Sequence, residues 1–151
     1  GVVMGGGVGL SIYGDYRIVT DSTKFAMPET SIGFFPDVGG SFFLSKIDNN
    51  LGMYLGLTGE LLQSKDLLNF NLATHYCPEN KIDNLIKQFI VDGSIKNYEI
   101  ENSSFFTNEK FDFINNNFSG NIHEIFKRNS TLFKILMKII VRLFVKIFGT
   151  F

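Results

Sequence analysis

Apolar and polar positions change their spacing several times along the 151 residues, and each change marks an element. The apolar run at 2–4 reads as a short buried strand. Residues 6–13 follow with a pattern that suits a helix, although each interior glycine costs about 1 kcal/mol relative to alanine. Tyr16 to Thr20 is rich in β-formers, and 24–27 is a second short strand candidate. This strand–helix–strand rhythm predicts α/β (α+β) architecture rather than a helical bundle.

Pro28 and Pro36 interrupt the pattern, so 28–37 is expected to hold turns and a short helix. From there the spacing becomes helical. Asp37 is placed as the N-cap of a helix over 38–46, a second helix covers 51–57 and stops at Gly59, and Ser64 caps a third over 65–70. Ile82, Leu85, Ile86, Phe89 and Ile90 give 81–90 one apolar face, and Phe111, Ile114 and Phe118 mark a further helix. Residues 92–107 are polar, weakly patterned and read as loop. In the last segment, 131–151, Lys134, Lys138, Arg142 and Lys146 recur every four residues among apolar ones. On a helix they form a basic stripe on an apolar cylinder. Charge at every turn argues against burial in lipid; the segment suits docking or self-association, contact with a membrane surface, or an aberrant tail.

Composition narrows the picture modestly. A net charge of −1 gives no reason to expect nucleic acid as a partner. One cysteine, Cys77, excludes an internal disulfide, and its neighbour Pro78 leaves only His75 as an obvious base, so a packed thiol is the expectation. His75 and His123 are far apart and lack the spacing of metal ligands, so no metal is expected and both rings are taken as packed or surface groups. The chain opens at Gly1, directly in an apolar run, which predicts a piece of a longer protein and leaves targeting unread.

The chemistry concentrates in two places. Glu29 and Asp37 stand eight residues apart among apolar residues, glycines and prolines, where ionised groups are costly to bury. The earlier run Met4-Gly5-Gly6-Gly7-Val8-Gly9 is not a nucleotide fingerprint: Leu10 occupies the third glycine position of Gly-x-Gly-x-x-Gly, and Asp15 follows Gly14 where a P-loop needs lysine. Two readings remain. One is a strand that turns abruptly into a helix, with outward N–H groups able to hold a developing oxyanion; the other is tight helix–strand packing.

Taken together, these segments resemble the crotonase superfamily of CoA-thioester enzymes. Met4-Gly5-Gly6-Gly7-Val8-Gly9-Leu10 is similar to its glycine-rich turn, Phe25-Ala26-Met27-Pro28-Glu29 to its Phe-Ala-x-Pro-Glu motif, and Leu55-Gly56-Leu57-Thr58-Gly59 to its downstream signature. Within the superfamily, hydratases carry a second glutamate where this chain has Gly9. The string Met-Pro-Glu-Thr-x-Ile-Gly-x-Phe-Pro-Asp-Val-Gly-Gly resembles the 3-hydroxyisobutyryl-CoA hydrolases, as do Ala73-Thr74-His75 and Phe118-Ser119. The resemblance covers about residues 1–127 and fades in the tail.

The resemblance implies the second half of a ββα spiral core over 1–60, C-terminal helices over 61–130, and a tail of uncertain status over 131–151. It implies hydrolysis of 3-hydroxyisobutyryl-CoA to the free acid and CoA in mitochondrial valine catabolism, with no cofactor beyond the CoA of the substrate. Glu29 and Asp37 are the implied catalytic pair, Gly6 the implied oxyanion donor, and Gly5, Gly7 and Gly9 its substrate-binding companions. Val8, Phe34 and Phe35 either line the pocket or pack behind it, with packing favoured. A hydratase or isomerase of the same fold, and a non-catalytic remnant, are the alternatives.

Overall fold

The computed structural model describes residues 1–131 apart from 49, 102 and 103, together with residue 134. The expected strand–helix–strand opening is present. Strand β1 (Val2–Met4) leads through Gly5 into helix α1 (Gly6–Ser11); β2 (Ile18–Val19) and β3 (Lys24–Ala26) follow. β1 and β3 pair in parallel with Val2 opposite Lys24, Val3 opposite Phe25 and Met4 opposite Ala26. The connection between them is α1 and β2, as a parallel pair requires a crossover rather than a hairpin. Strand β4 (Leu62–Gln63) closes the other side of β3 in antiparallel register, with Leu62 opposite Phe25.

A second, smaller sheet pairs β2 in parallel with β5 (His75–Tyr76). Arg17 stitches this junction, donating from Nε to the Leu72 carbonyl at 3.0 Å and from Nη1 to that of Gly14 at 2.8 Å. Neither β4 nor β5 was expected, because two residues are too few for a strand period to register in the sequence.

Pro28–Ile32 forms a 3-10 turn that ends on Gly33 in the left-handed conformation. The helix expected over 38–46 is shorter: α2 runs Gly40–Leu44 and its N-cap is Gly39, not Asp37. Asp37 contributes instead its carbonyl, which accepts from Gly40 N. Helix α3 (Leu51–Thr58) ends on Gly59 as expected. Helix α4 (Ser64–Asn69) is capped by Gln63, one residue earlier than expected. Asp66 reaches back to Gln63 N at 3.2 Å, and this frees the Ser64 hydroxyl to donate to the Thr20 carbonyl.

A 3-10 turn at Glu79–Lys81 leads into α5 (Ile82–Asp92), and α6 (Asn108–Phe118) is capped by Thr107. Helix α7 (Ile122–Arg128), unforeseen, opens with a capping box in which Asn121 and Glu124 satisfy each other's backbone N–H. Its start is legible afterwards as Asn-x-x-Glu, a signal easily passed over where asparagine is abundant.

The core joins these pieces. Val8 of α1, Phe25 of β3, Leu51 and Leu55 of α3, Leu62, Leu67, Ile114, Phe118 and Ile125 are all buried in one apolar cluster. Tyr54 meets Phe118 edge-to-face at 5.0 Å between centroids. Among the described residues no helix is long and apolar enough to cross a membrane. The basic-apolar helix expected over 131–151 lies, except for residues 131 and 134, outside the described residues.

Candidate active site

Strand pairing brings the two expected motifs together. Because Met4 lies opposite Ala26, the chain leaves β1 and β3 at the same edge, and Gly5 N donates to the Ala26 carbonyl at 3.2 Å. The glycine turn and the Pro28–Glu29 step therefore stand side by side at the carboxyl ends of parallel strands, where open α/β sheets hold their ligands. Gly5 has φ +49°, a conformation that side chains avoid, and a Cβ on it would lie 2.7 Å from Glu29 Oε1. Only glycine lets the carboxylate rest directly on the turn.

Glu29 itself is half-buried, and its Oε2 is fully buried with no hydrogen-bond partner among the described residues. Burying an unpaired acceptor is unfavourable, which makes this oxygen a candidate for contact with a group from outside the described residues. The 3-10 turn holds the residue by its backbone: the Glu29 carbonyl accepts from Phe34 N at 3.0 Å. Gly59, left-handed at the end of α3, sits against this turn; a Cβ there would lie 3.0 Å from Pro28 Cα. The third expected motif thus buttresses the second.

Gly6 and Gly7 are the first two residues of α1, so their N–H groups have no acceptor within the helix. A Cβ on Gly6 would meet nothing within 4 Å, so its exposed side is open. Val8, by contrast, is fully buried in the core, as the packing expectation had it. Phe34 and Phe35 depart from that expectation: they stack on each other at 4.4 Å and are both exposed, Phe35 by 65%. Ile32 and Phe42 are exposed as well, so the apolar run around Asp37 stands largely at the surface.

Asp37 is exposed too, so the cost of burying an ionised group does not arise there. Its place is nevertheless fixed by its neighbour. Val38, with φ +45°, presses on Gly9, where a Cβ would fall 2.5 Å from Val38 Cβ. Beside it, Tyr13 Oη donates to the Gly39 carbonyl at 3.4 Å. Val38 and Tyr13 were not singled out in the sequence. A left-handed valine has no sequence signature, and a tyrosine past a helix end is unremarkable.

The other candidates fall away from this place. Cys77 is buried, and burial pushes its thiol up. His75 Nδ1 lies 2.9 Å from Thr74 Oγ1, and its ring packs 5.8 Å from Tyr16. Among the described residues no three His, Cys, Asp or Glu side chains group as metal ligands. A cavity of about 510 Å³ lies between β1, α1 and α4, lined by Val3, Ser11, Arg17, Phe25 and Leu72, and no candidate residue touches it. An apolar hollow of about 320 Å³ begins beside the site, at Phe35 and Pro36, and runs between α2 and α3 to Leu44, Met53 and Leu57.

Parallel strands that end together in a glycine turn and a glutamate, followed by packed helices, define a crotonase-type α/β protein. The chain belongs to the enoyl-CoA hydratase/isomerase family, whose profile matches residues 1–142. Its backbone is similar to that of an enoyl-CoA hydratase from Rhodobacter sphaeroides, with TM-score 0.77 and 30% identity over 92% of this chain and 42% of that one. It is likewise similar to a carnitinyl-CoA dehydratase from Mycobacterium thermoresistibile, with TM-score 0.72 and 33% identity over 91% of this chain and 43% of that one. In sequence it is 39% identical over 143 residues to the mitochondrial 3-hydroxyisobutyryl-CoA hydrolase of Xenopus laevis, covering 85% of this chain. It spans only 37% of that relative's length.

Proposed function

We propose that this chain carries the glutamate and glycine-turn part of a thioester hydrolase site that cleaves 3-hydroxyisobutyryl-CoA into the free acid and CoA. The observation that carries the reading is the Glu29 carboxylate resting on Gly5, with one oxygen buried and unpaired among the described residues, beside a helix start whose Gly6 and Gly7 N–H groups have no acceptor within the helix. The name shared by curated relatives such as those of Xenopus laevis and Homo sapiens supports the choice of substrate. Both are named mitochondrial, and a mitochondrial setting in valine breakdown is part of the proposal.

In this reading Gly6 N–H donates to the thioester carbonyl and then to the tetrahedral oxyanion, where charge develops. Water adds to the carbonyl carbon, the C–S bond breaks, and the thiolate leaves. Glu29 takes the proton from that water and returns it to the CoA sulfur, or attacks first and forms an anhydride that water opens. Asp37, exposed on the loop that faces α1, orients the substrate hydroxyl. No cofactor beyond the CoA of the substrate takes part.

The test is release of free CoA from 3-hydroxyisobutyryl-CoA, measured with a thiol reagent on the whole reading frame that contains this chain. Glu29→Gln keeps the shape of the side chain and removes its basicity, so turnover is expected to fall by about 10²–10⁴-fold with an unchanged circular dichroism spectrum. Unimpaired release by Glu29→Gln would refute the assignment. Hydration of an enoyl-CoA, with no CoA release, would favour the activity named for the Rhodobacter relative.

A further inference from the structure

We propose that Val38 is a positioning residue: wedged against the bare backbone of Gly9, it registers the Asp37 loop on the same side of α1 that holds Glu29. The proposal rests on the catalytic reading above, since it concerns how the two carboxylate segments are set relative to each other.

Three contacts recur at intervals of four along one stretch of chain. Gly5 carries Glu29 Oε1, Gly9 carries Val38, and Tyr13 donates to the Gly39 carbonyl. Positions four apart share one side of a helix, one turn above each other. Helix α1 therefore receives the 3-10 turn at its N-cap, Gly5, and the Asp37 loop one turn later at Gly9, whose N–H donates to the Gly5 carbonyl at 3.3 Å. Both seats need the absence of a side chain. A Cβ on Gly9 would lie 2.5 Å from Val38 Cβ, 2.7 Å from its Cγ2 and 3.1 Å from its carbonyl oxygen.

Val38 reaches this seat at a conformational cost. A β-branched residue at φ +45° is a genuine outlier, because its Cγ groups crowd the backbone there. The side chain remains 42% exposed, so burial does not offset that cost. Gly39, the next residue, is at φ +83° and leads into α2, which begins at Gly40. Strain that persists without compensating burial, one turn along α1 from the seat of Glu29 at Gly5, belongs to a segment that is held for its position. One consequence is chemical. While Val38 occupies its seat, position 9 takes no side chain, so α1 adds no carboxylate of its own beside Glu29 and any second acid must come from the loop.

The test compares Val38→Gly, Val38→Thr and Gly9→Ala in the whole reading frame, by steady-state CoA release and by amide exchange of Gly40, whose N–H donates to the Asp37 carbonyl. Glycine suits the left-handed conformation, so Val38→Gly is expected to fold, to exchange faster at Gly40, and to lose kcat by about tenfold or more with KM unchanged. Threonine keeps the branched wedge and is expected to retain the wild-type rate. Gly9→Ala should reproduce the loss, and Val38→Gly should recover part of it in the double variant. Wild-type kcat in Val38→Gly, or strictly additive losses in the double variant, would overturn the proposal. If the unaltered protein releases no CoA, the hydrolase reading falls by itself. Gly40 exchange then decides the wedge: faster exchange in Val38→Gly upholds it and unchanged exchange removes it.

Discussion

Glu29 and the glycines around it divide one task by their surroundings. Gly5 is bare because a carboxylate oxygen occupies the space a Cβ would need, and Gly9 because a valine does. Gly6 has open space instead, with nothing to meet within 4 Å of where a Cβ would stand, so a side chain there points toward what approaches from outside. On the proposed hydrolase reading, Gly6→Val is therefore expected to leave the melting temperature within a few degrees of wild type while lowering kcat/KM for CoA release by about 10²–10³-fold, because the side chain bars the substrate carbonyl from the Gly6 N–H as fully as losing that donor would. A matched drop in stability would show instead that the position serves packing. At this scale the sequence was readable for Glu29, whose motif carries it, and only half readable for Asp37. Its exposure depends on the loop standing outside the core, and no residue type in 31–39 announces that.

Among the elements, those held together by distant partners were the least legible. Strands β4 and β5 have two residues each and exist because a neighbour supplies their hydrogen bonds. Helix α2 starts at Gly40 and not at 38 because Val38 and Gly39 are both left-handed, which breaks the helical run that the apolar spacing suggests. Helix α3 was legible at both its apolar run and its glycine stop. Its packing explains a residue that no motif required. Gly52 faces α2 so closely that a Cβ would collide with the Leu44 carbonyl oxygen, and Leu44 is itself buried. Backbone cannot rotate aside as a side chain can. Gly52→Ala should accordingly destabilise the protein by about 1–3 kcal/mol in urea unfolding, although alanine is the better helix former. A stabilised variant would mean that α2 and α3 can separate freely.

Across the whole molecule, the two ends of the β2 region are tied by polar contacts at long sequence distance. Tyr76 Oη donates to Asp21 Oδ1, and Glu79 N donates to Asp21 Oδ2 at 3.1 Å. The Tyr76 hydroxyl, followed by Glu79 N–H, holds Asp21 below its ordinary value of 3.8. The same contact is the first cause that pushes Tyr76 from 10.0 up to about 12. The signs follow from linkage. The lowered carboxylate contributes stability above pH 3.8, lost as pH falls through its depressed value. The raised phenol contributes stability below pH 10.0, lost as pH rises toward about 12. Tyr76→Phe should raise the Asp21 value toward 3.8, read from its carboxyl shift in an NMR titration. An unmoved Asp21 would place the cause in the backbone alone.

The family, the strand–helix–strand start and the choice of Glu29 as candidate were determined by the sequence alone, because each depends on residue type at fixed spacing along the chain. The meeting of Gly5 with Glu29, the wedge of Val38 on Gly9 and the exposure of Asp37 were decided by the tertiary structure. They arise where strand register brings distant segments to one edge, and local periodicity holds no record of which backbone will face which.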